Sequence, residues 1–147
     1  MSYASETRVP VAQTRAEIER LVVERHGATQ YATGYQTDPP RASVQFHMRD
    51  RIIRFDVPLP WKSEPVSERE RRGLEQATRS RWRALLLIIK AKLEAVESGV
   101  TTFEEEFLAH VVLPGGRTVA QQTLPQIAAA YASGRAPRLL SEFCGGE

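Results

Sequence analysis

Eight cationic side chains crowd the stretch from Arg69 to Lys92 against two carboxylates, Glu70 and Glu75, in a chain whose net charge is only +2. The excess there is about six charges, so the remainder of the chain is acidic. On a helix turning about 100° per residue, Arg69, Arg72, Arg79, Arg83 and Lys90 fall on one arc. A row of that kind is spaced to track phosphates, whose charge dominates protein affinity for nucleic acids. Trp61, Tyr31 and Tyr35 offer aromatic faces on which unpaired bases stack. The same arc has a structural reading, in which long cationic stems lie over apolar surface and their heads pair with Glu75, Glu94 or Glu97.

Other chemistries find less in the sequence. His26, His47 and His110 are scattered, and none has a His or Cys three or four residues away to make a pair of metal ligands on one helix face. Glu104, Glu105 and Glu106 are consecutive, so on a helix they diverge and read as a helix-start charge run. Asp56 and Lys62 lack the further acidic residue of a metal-dependent nuclease and are separated by Pro58 and Pro60. "LPGGRTV" carries two glycines and an arginine but not the spacing of a phosphate-binding loop, which favours a hairpin turn. No Ser or Cys sits in a nucleophile motif. The residues therefore predict no catalytic group, no metal and no cofactor.

The elements that must position the cationic row follow from periodicity. "TRAE" reads as a capping box of Thr14 and Glu17 opening a helix from about Arg15 to His26, with Gly27 as its stop. Ala28 to Gln36, Ala42 to Met48 and Arg51 to Val57 read as three antiparallel strands, the second alternating Val44, Phe46 and Met48 with Ser43, Gln45 and His47. After the proline-rich "PLPWKSEP", Ser67 and Glu70 form a second capping box. The helix it opens runs to Ser98 and Gly99. Its core face is Leu74, Trp82, Leu85, Ile89, Leu93 and Val96, with Leu86 at the border. Arg81 and Lys92 lie across that stripe from the cationic row, and Ala77, Ala84, Ala91 and Ala95 form a small-residue face.

Beyond Gly99, a Thr-capped acidic helix, a Gly-Gly hairpin over "VVLPGGRTV" and a helix with Pro125 near its start and Gly134 as its stop complete the pattern. The tail is expected to dock through Leu139, Leu140 and Phe143. The fold class is α+β: a three-stranded antiparallel sheet packed on a long central helix, with short N- and C-terminal helices. At 147 residues, with 41% hydrophobic and 26% charged residues, one domain over 1–147 is expected, with 14–60 supplying a helix and the sheet and 66–147 the long helix and C-terminal part. The single cysteine, Cys144, excludes an internal disulfide and suits a reducing cytoplasm. The apolar run Ala84 to Ile89 is far short of the roughly 20 residues of a membrane span, so neither insertion nor a membrane partner is expected.

"RWRALLLIIKAKLEAVESG", "TTFEEEFLAHVVLPGGRTV" and "AAAYASGRAPRLL" together resemble a family of small uncharacterised proteins of tailed bacteriophages and prophages, over most of the chain from "TRAEIERLVVERHGA" onward. The resemblance implies action inside an infected bacterium, where small phage proteins serve DNA replication and recombination or disarm host defence; it assigns no functional residue. Two expectations follow. The first is a non-enzymatic accessory protein whose basic helix face binds nucleic acid, DNA in preference to RNA. The alternative is an inhibitor that binds a bacterial host protein, through the same helix or through "FEEEF" as a mimic of DNA. A second copy of the chain is a further partner that the long helix admits.

Overall fold

The sheet forms where β-branched and aromatic residues alternate with polar ones. In the computed structural model, which describes residues 8–60, 64 and 67–137, strands β1 (Gln30–Thr37), β2 (Pro40–Met48) and β3 (Arg51–Pro58) pair antiparallel in the order β1-β2-β3. Ala42, Val44, Phe46 and Met48 are buried on one face, where the register sets Val44 against Phe55 and Phe46 against Ile53. The β2–β3 turn places both Arg49 and Asp50 at positive φ, 50° and 62°. That is the twist a two-residue hairpin needs.

Helix α1 (Val11–Glu19) continues as a π-helical segment, Arg20–Arg25. The expected capping box is corrected here. The helix starts at Val11 with Pro10 as N-cap, and Thr14 is a fully buried interior residue whose Oγ1 has no hydrogen-bond partner among the described residues. Tertiary packing wins over the local signal: Val11 packs on the core, which draws the helix back by about a turn. Glu17, the other half of the box, instead reaches Arg83 at 2.9 Å.

Helix α2 (Glu68–Glu97) opens where expected, with Ser67 Oγ accepting from the Glu70 amide at 3.1 Å. Its 30 residues make it about 45 Å long. Trp82, Leu85, Leu86, Ile89 and Leu93 are buried, and Val96 packs at the margin of the same core. Helix α3 (Phe103–Phe107), capped by Thr102, then drives Phe107 into the centre. There it meets Phe46 and Phe55 edge-on, each at 6.3 Å between ring centres. This geometry favours the ring quadrupoles.

After a 3-10 turn, Leu108–His110, the chain runs beside the outer edge of β3: Ile53 bridges Val111, and the Val112 amide donates to Ile52 O at 2.8 Å. The expected hairpin shrinks to a tight turn at Gly115 and Gly116 with one bridge, Val112 to Thr118. Helix α4 (Val119–Ser133) follows at once, capped by Thr118 and Gln121 in a reciprocal pair. Pro125 is therefore inside α4, not near its start. Proline cannot donate to the carbonyl four residues back, that of Gln121. The Arg117 guanidinium donates to that carbonyl instead, at 2.6 Å, which makes the interior proline tolerable. Gly134 ends α4 in the left-handed conformation, φ 73°, as expected. Leu139, Leu140 and Phe143 lie outside the described residues. No helix among those residues is long and apolar enough to cross a membrane.

Candidate nucleic-acid interface

The cationic row divides according to which members the fold engages. Arg83, in the middle, is bound to Glu17 with both side chains about three-quarters buried. Arg79 is also only partly exposed; its Nη2 donates to Gln76 Oε1 at 2.6 Å and its Nε is buried without a hydrogen-bond partner among the described residues. The ends of the row differ. Arg69 and Arg72 are exposed, and Arg72 has Glu68 at 3.9 Å along the same helix. Lys90 is exposed about 31 Å from Arg69, a span of 21 residues.

Lys90 does not stand alone. It lines a cleft of about 330 Å³ between α2 and the π-helical segment, together with Arg20 and Arg25. Glu17 and Glu24 also line it, but Glu17 is committed to Arg83, which leaves three cations facing Glu24. Arg20 and Arg25 were absent from the sequence-predicted set for a geometric reason. Five residues apart on an α-helix, they diverge by about 140°. The wider π-turn, whose bonds run from i to i+5, returns them to one side.

The aromatic candidates are dispersed. Tyr35 is 63% exposed at the sheet's free edge, whereas Tyr31 is partly buried and its hydroxyl donates to Arg15 O at 3.4 Å. Burial, with Glu19 nearby, pushes the Tyr31 phenol up to about 12. Trp61 and Lys62 lie outside the described residues. The cations across the stripe are both engaged: Arg81 donates to Pro58 O, and Lys92 contacts Glu106 through its carboxylate, 3.3 Å, and its backbone carbonyl.

The remaining motifs resolve into structure. Glu104 pairs with Arg51 at 2.6 Å, Glu106 pairs with Lys92, and Phe103 and Phe107 are core, so the acidic surface of "FEEEF" is that of the exposed Glu104 and Glu105. Asp56 accepts from Arg54 at 3.2 Å, and Arg54 also donates to Gln121 and to Gly116 O, tying the open face of β3 to the start of α4. Arg117, though exposed, donates to Gln121 O and Gln122 Oε1, so the arginine of the Gly-Gly turn is engaged with the start of α4. His26 lies 3.4 Å from Glu97, and His110 stacks on Phe55 at 4.0 Å. Among the described residues no three His, Cys, Asp or Glu side chains gather as a metal-binding group. Comparison with protein-family models, curated proteins and solved structures finds no match to this chain.

Proposed function

We propose that the protein is a non-enzymatic accessory protein of a tailed phage or prophage that binds nucleic acid, DNA in preference to RNA, in the bacterial cytoplasm. One observation carries the reading: the exposed members of the α2 row, Arg69, Arg72 and Lys90, are joined by Arg20 and Arg25 from a second element. Contact falls at two places about 31 Å apart, roughly nine base pairs of duplex, and not along a continuous row. Five phosphate contacts would give a dependence of log affinity on log salt of about −4.5.

The test is a DNA-binding titration across a salt series with two variants, Arg69→Ala with Arg72→Ala, and Arg20→Ala with Arg25→Ala and Lys90→Ala. Each lost contact flattens the slope by about 0.9. Absence of binding at low salt, or unchanged slopes in both variants, overturns the proposal. The rival, an inhibitor of a bacterial host protein, is favoured by a different feature. Helix α4 carries no charged residue over its 15 positions, and Leu124 and Tyr131 are 60% and 88% exposed on it. Retention of a bacterial protein that is lost on Leu124→Lys, without any DNA binding, would decide for the rival.

A further inference from the structure

The two edges of the sheet are treated differently. The outer edge of β3 is met at Ile52 and Ile53 by Val111 and Val112, while β1 pairs only with β2, and among the described residues no strand pairs its other side. Natural sheets blunt such an edge with proline, lysine or another charge. β1, "QYATGYQT", has none of these.

Extended by Thr29, the segment is "TQYATGYQT", which reads almost the same in both directions about Thr33. Thr29 mirrors Thr37, Gln30 mirrors Gln36, Tyr31 mirrors Tyr35, and only Ala32 and Gly34 differ. When two identical strands pair antiparallel about a two-fold axis, each residue meets its mirror position. We propose that β1 pairs in this way with β1 of a second copy, with the axis at Thr33, so that two three-stranded sheets become one.

Every cross-strand contact then made is favourable or neutral. Thr faces Thr, Gln faces Gln and Tyr faces Tyr, which are stabilising pairs, and no charge of the strand meets its own image. Mirror positions share a face of the sheet. The register with β2 sets Tyr31 opposite Phe46 and Tyr35 opposite Ala42, so both tyrosines lie on the core face. The exposed ring of Tyr35 thereby covers Tyr31 of the second copy. Two hollows flank Thr33 along this edge, one bounded by Ala12, Glu19 and Tyr31 and the other by Tyr35, Leu59 and Trp82. Gly34 faces Ala32 across the axis and stays small for a further reason, since a Cβ there would meet Ser43 Oγ at 2.7 Å. The charges nearest the axis are the two Arg15 guanidiniums, each donating to its own Thr33 Oγ1 at 2.6 Å. Screening by salt therefore tightens the pairing, the reverse of its effect on nucleic-acid binding.

Three measurements test the interface. The mass of the full chain, followed by analytical ultracentrifugation, should shift from monomer towards dimer as protein or salt concentration rises. In a Cys144→Ser background, Thr33→Cys should form an interchain disulfide readily, because directly opposed Cα atoms lie about 4.5–5.5 Å apart, within disulfide range. Ala32→Cys, which opposes Gly34, should not. Gln30→Lys with Gln36→Lys sets Lys against Lys twice and should give a monomer, whereas Gln30→Lys with Gln36→Glu sets Lys against Glu and should restore the dimer. A parent that stays monomeric at its highest attainable concentration overturns the proposal. Equal crosslinking of the two cysteine variants, or equal masses for two folded charge variants, does the same.

Discussion

Replacing Glu17 with Ala should make the protein less stable and a tighter binder of DNA, a pairing of effects that a purely structural α1–α2 contact does not produce. The Glu17–Arg83 pair is 2.9 Å apart, with side chains 26% and 25% exposed. Such a pair falls between an exposed one, worth about 0–1 kcal/mol, and a buried one, whose breakage costs about 3–5 kcal/mol. Because Arg83 can still turn towards water, the expected loss is about 1–2 kcal/mol, read as a lower midpoint in chemical denaturation. On the binding side, the cleft loses one negative charge and Arg83 becomes free for a phosphate. One added contact steepens the salt slope by about 0.9, so between about 50 and 200 mM salt the variant should lose about 3.5-fold more affinity than the parent. Its advantage belongs at low salt. The assay is fluorescence anisotropy with a labelled duplex at several salt concentrations. If stability falls but affinity and slope stay at parental values, neither Arg83 nor the cleft that Glu17 lines touches nucleic acid, and the proposed interface is wrong.

Phe107→Ala should cost about 3–5 kcal/mol, because the ring is fully buried between Phe46 and Phe55; a loss below about 1 kcal/mol would mean that the three rings do not form the centre of the core. Thr118→Ala removes the half of the α4 capping pair in which Thr118 Oγ1 accepts from the Gln121 amide, leaving the Thr118 amide on Gln121 Oε1, and denaturation should register a loss of about 1 kcal/mol. Burial, with the Lys92 ammonium nearby, holds the His110 imidazole below its ordinary value of 6.5. The unfolded chain then binds the extra proton more readily, so His110 contributes stability above pH 6.5 that is lost as pH falls towards the folded value. His110→Gln should flatten that part of the stability profile, and an unchanged profile would refute the assignment.

The sheet and α2 were legible because their signals agree at every level. Alternation in β2, the Ser67 cap, the apolar stripe from Trp82 to Leu93 and the Gly99 stop all point to the same elements. The misplaced boundaries share one cause, a local signal answered by a distant group. Thr14 and Glu17 have the composition of a cap, but packing of Val11 extends the helix and Arg83 claims Glu17. Pro125 looks like a first helical residue, yet Arg117 serves the carbonyl that proline leaves unpaired. Arg83 lies far outside the window over which the Thr14 cap is read, and Arg117 is eight residues before Pro125, beside the Thr118 cap that opens α4.

The site obeys the same logic with a different consequence. Sequence counts charges and places them on arcs, and the arc of Arg69, Arg72, Arg79, Arg83 and Lys90 is present in α2. It does not count availability. Two of those five are drawn inward, Arg83 to Glu17 and Arg79 towards Gln76, and their loss is offset by Arg20 and Arg25, which a regular helix would have held apart. The π-segment thus changes the proposed interface from a stripe on one helix to a cleft between two elements plus a separate helix end. A cleft can enclose a phosphate from two sides, whereas a stripe only lies beside one, so the cleft variant should lose more affinity per cation removed than the Arg69–Arg72 variant.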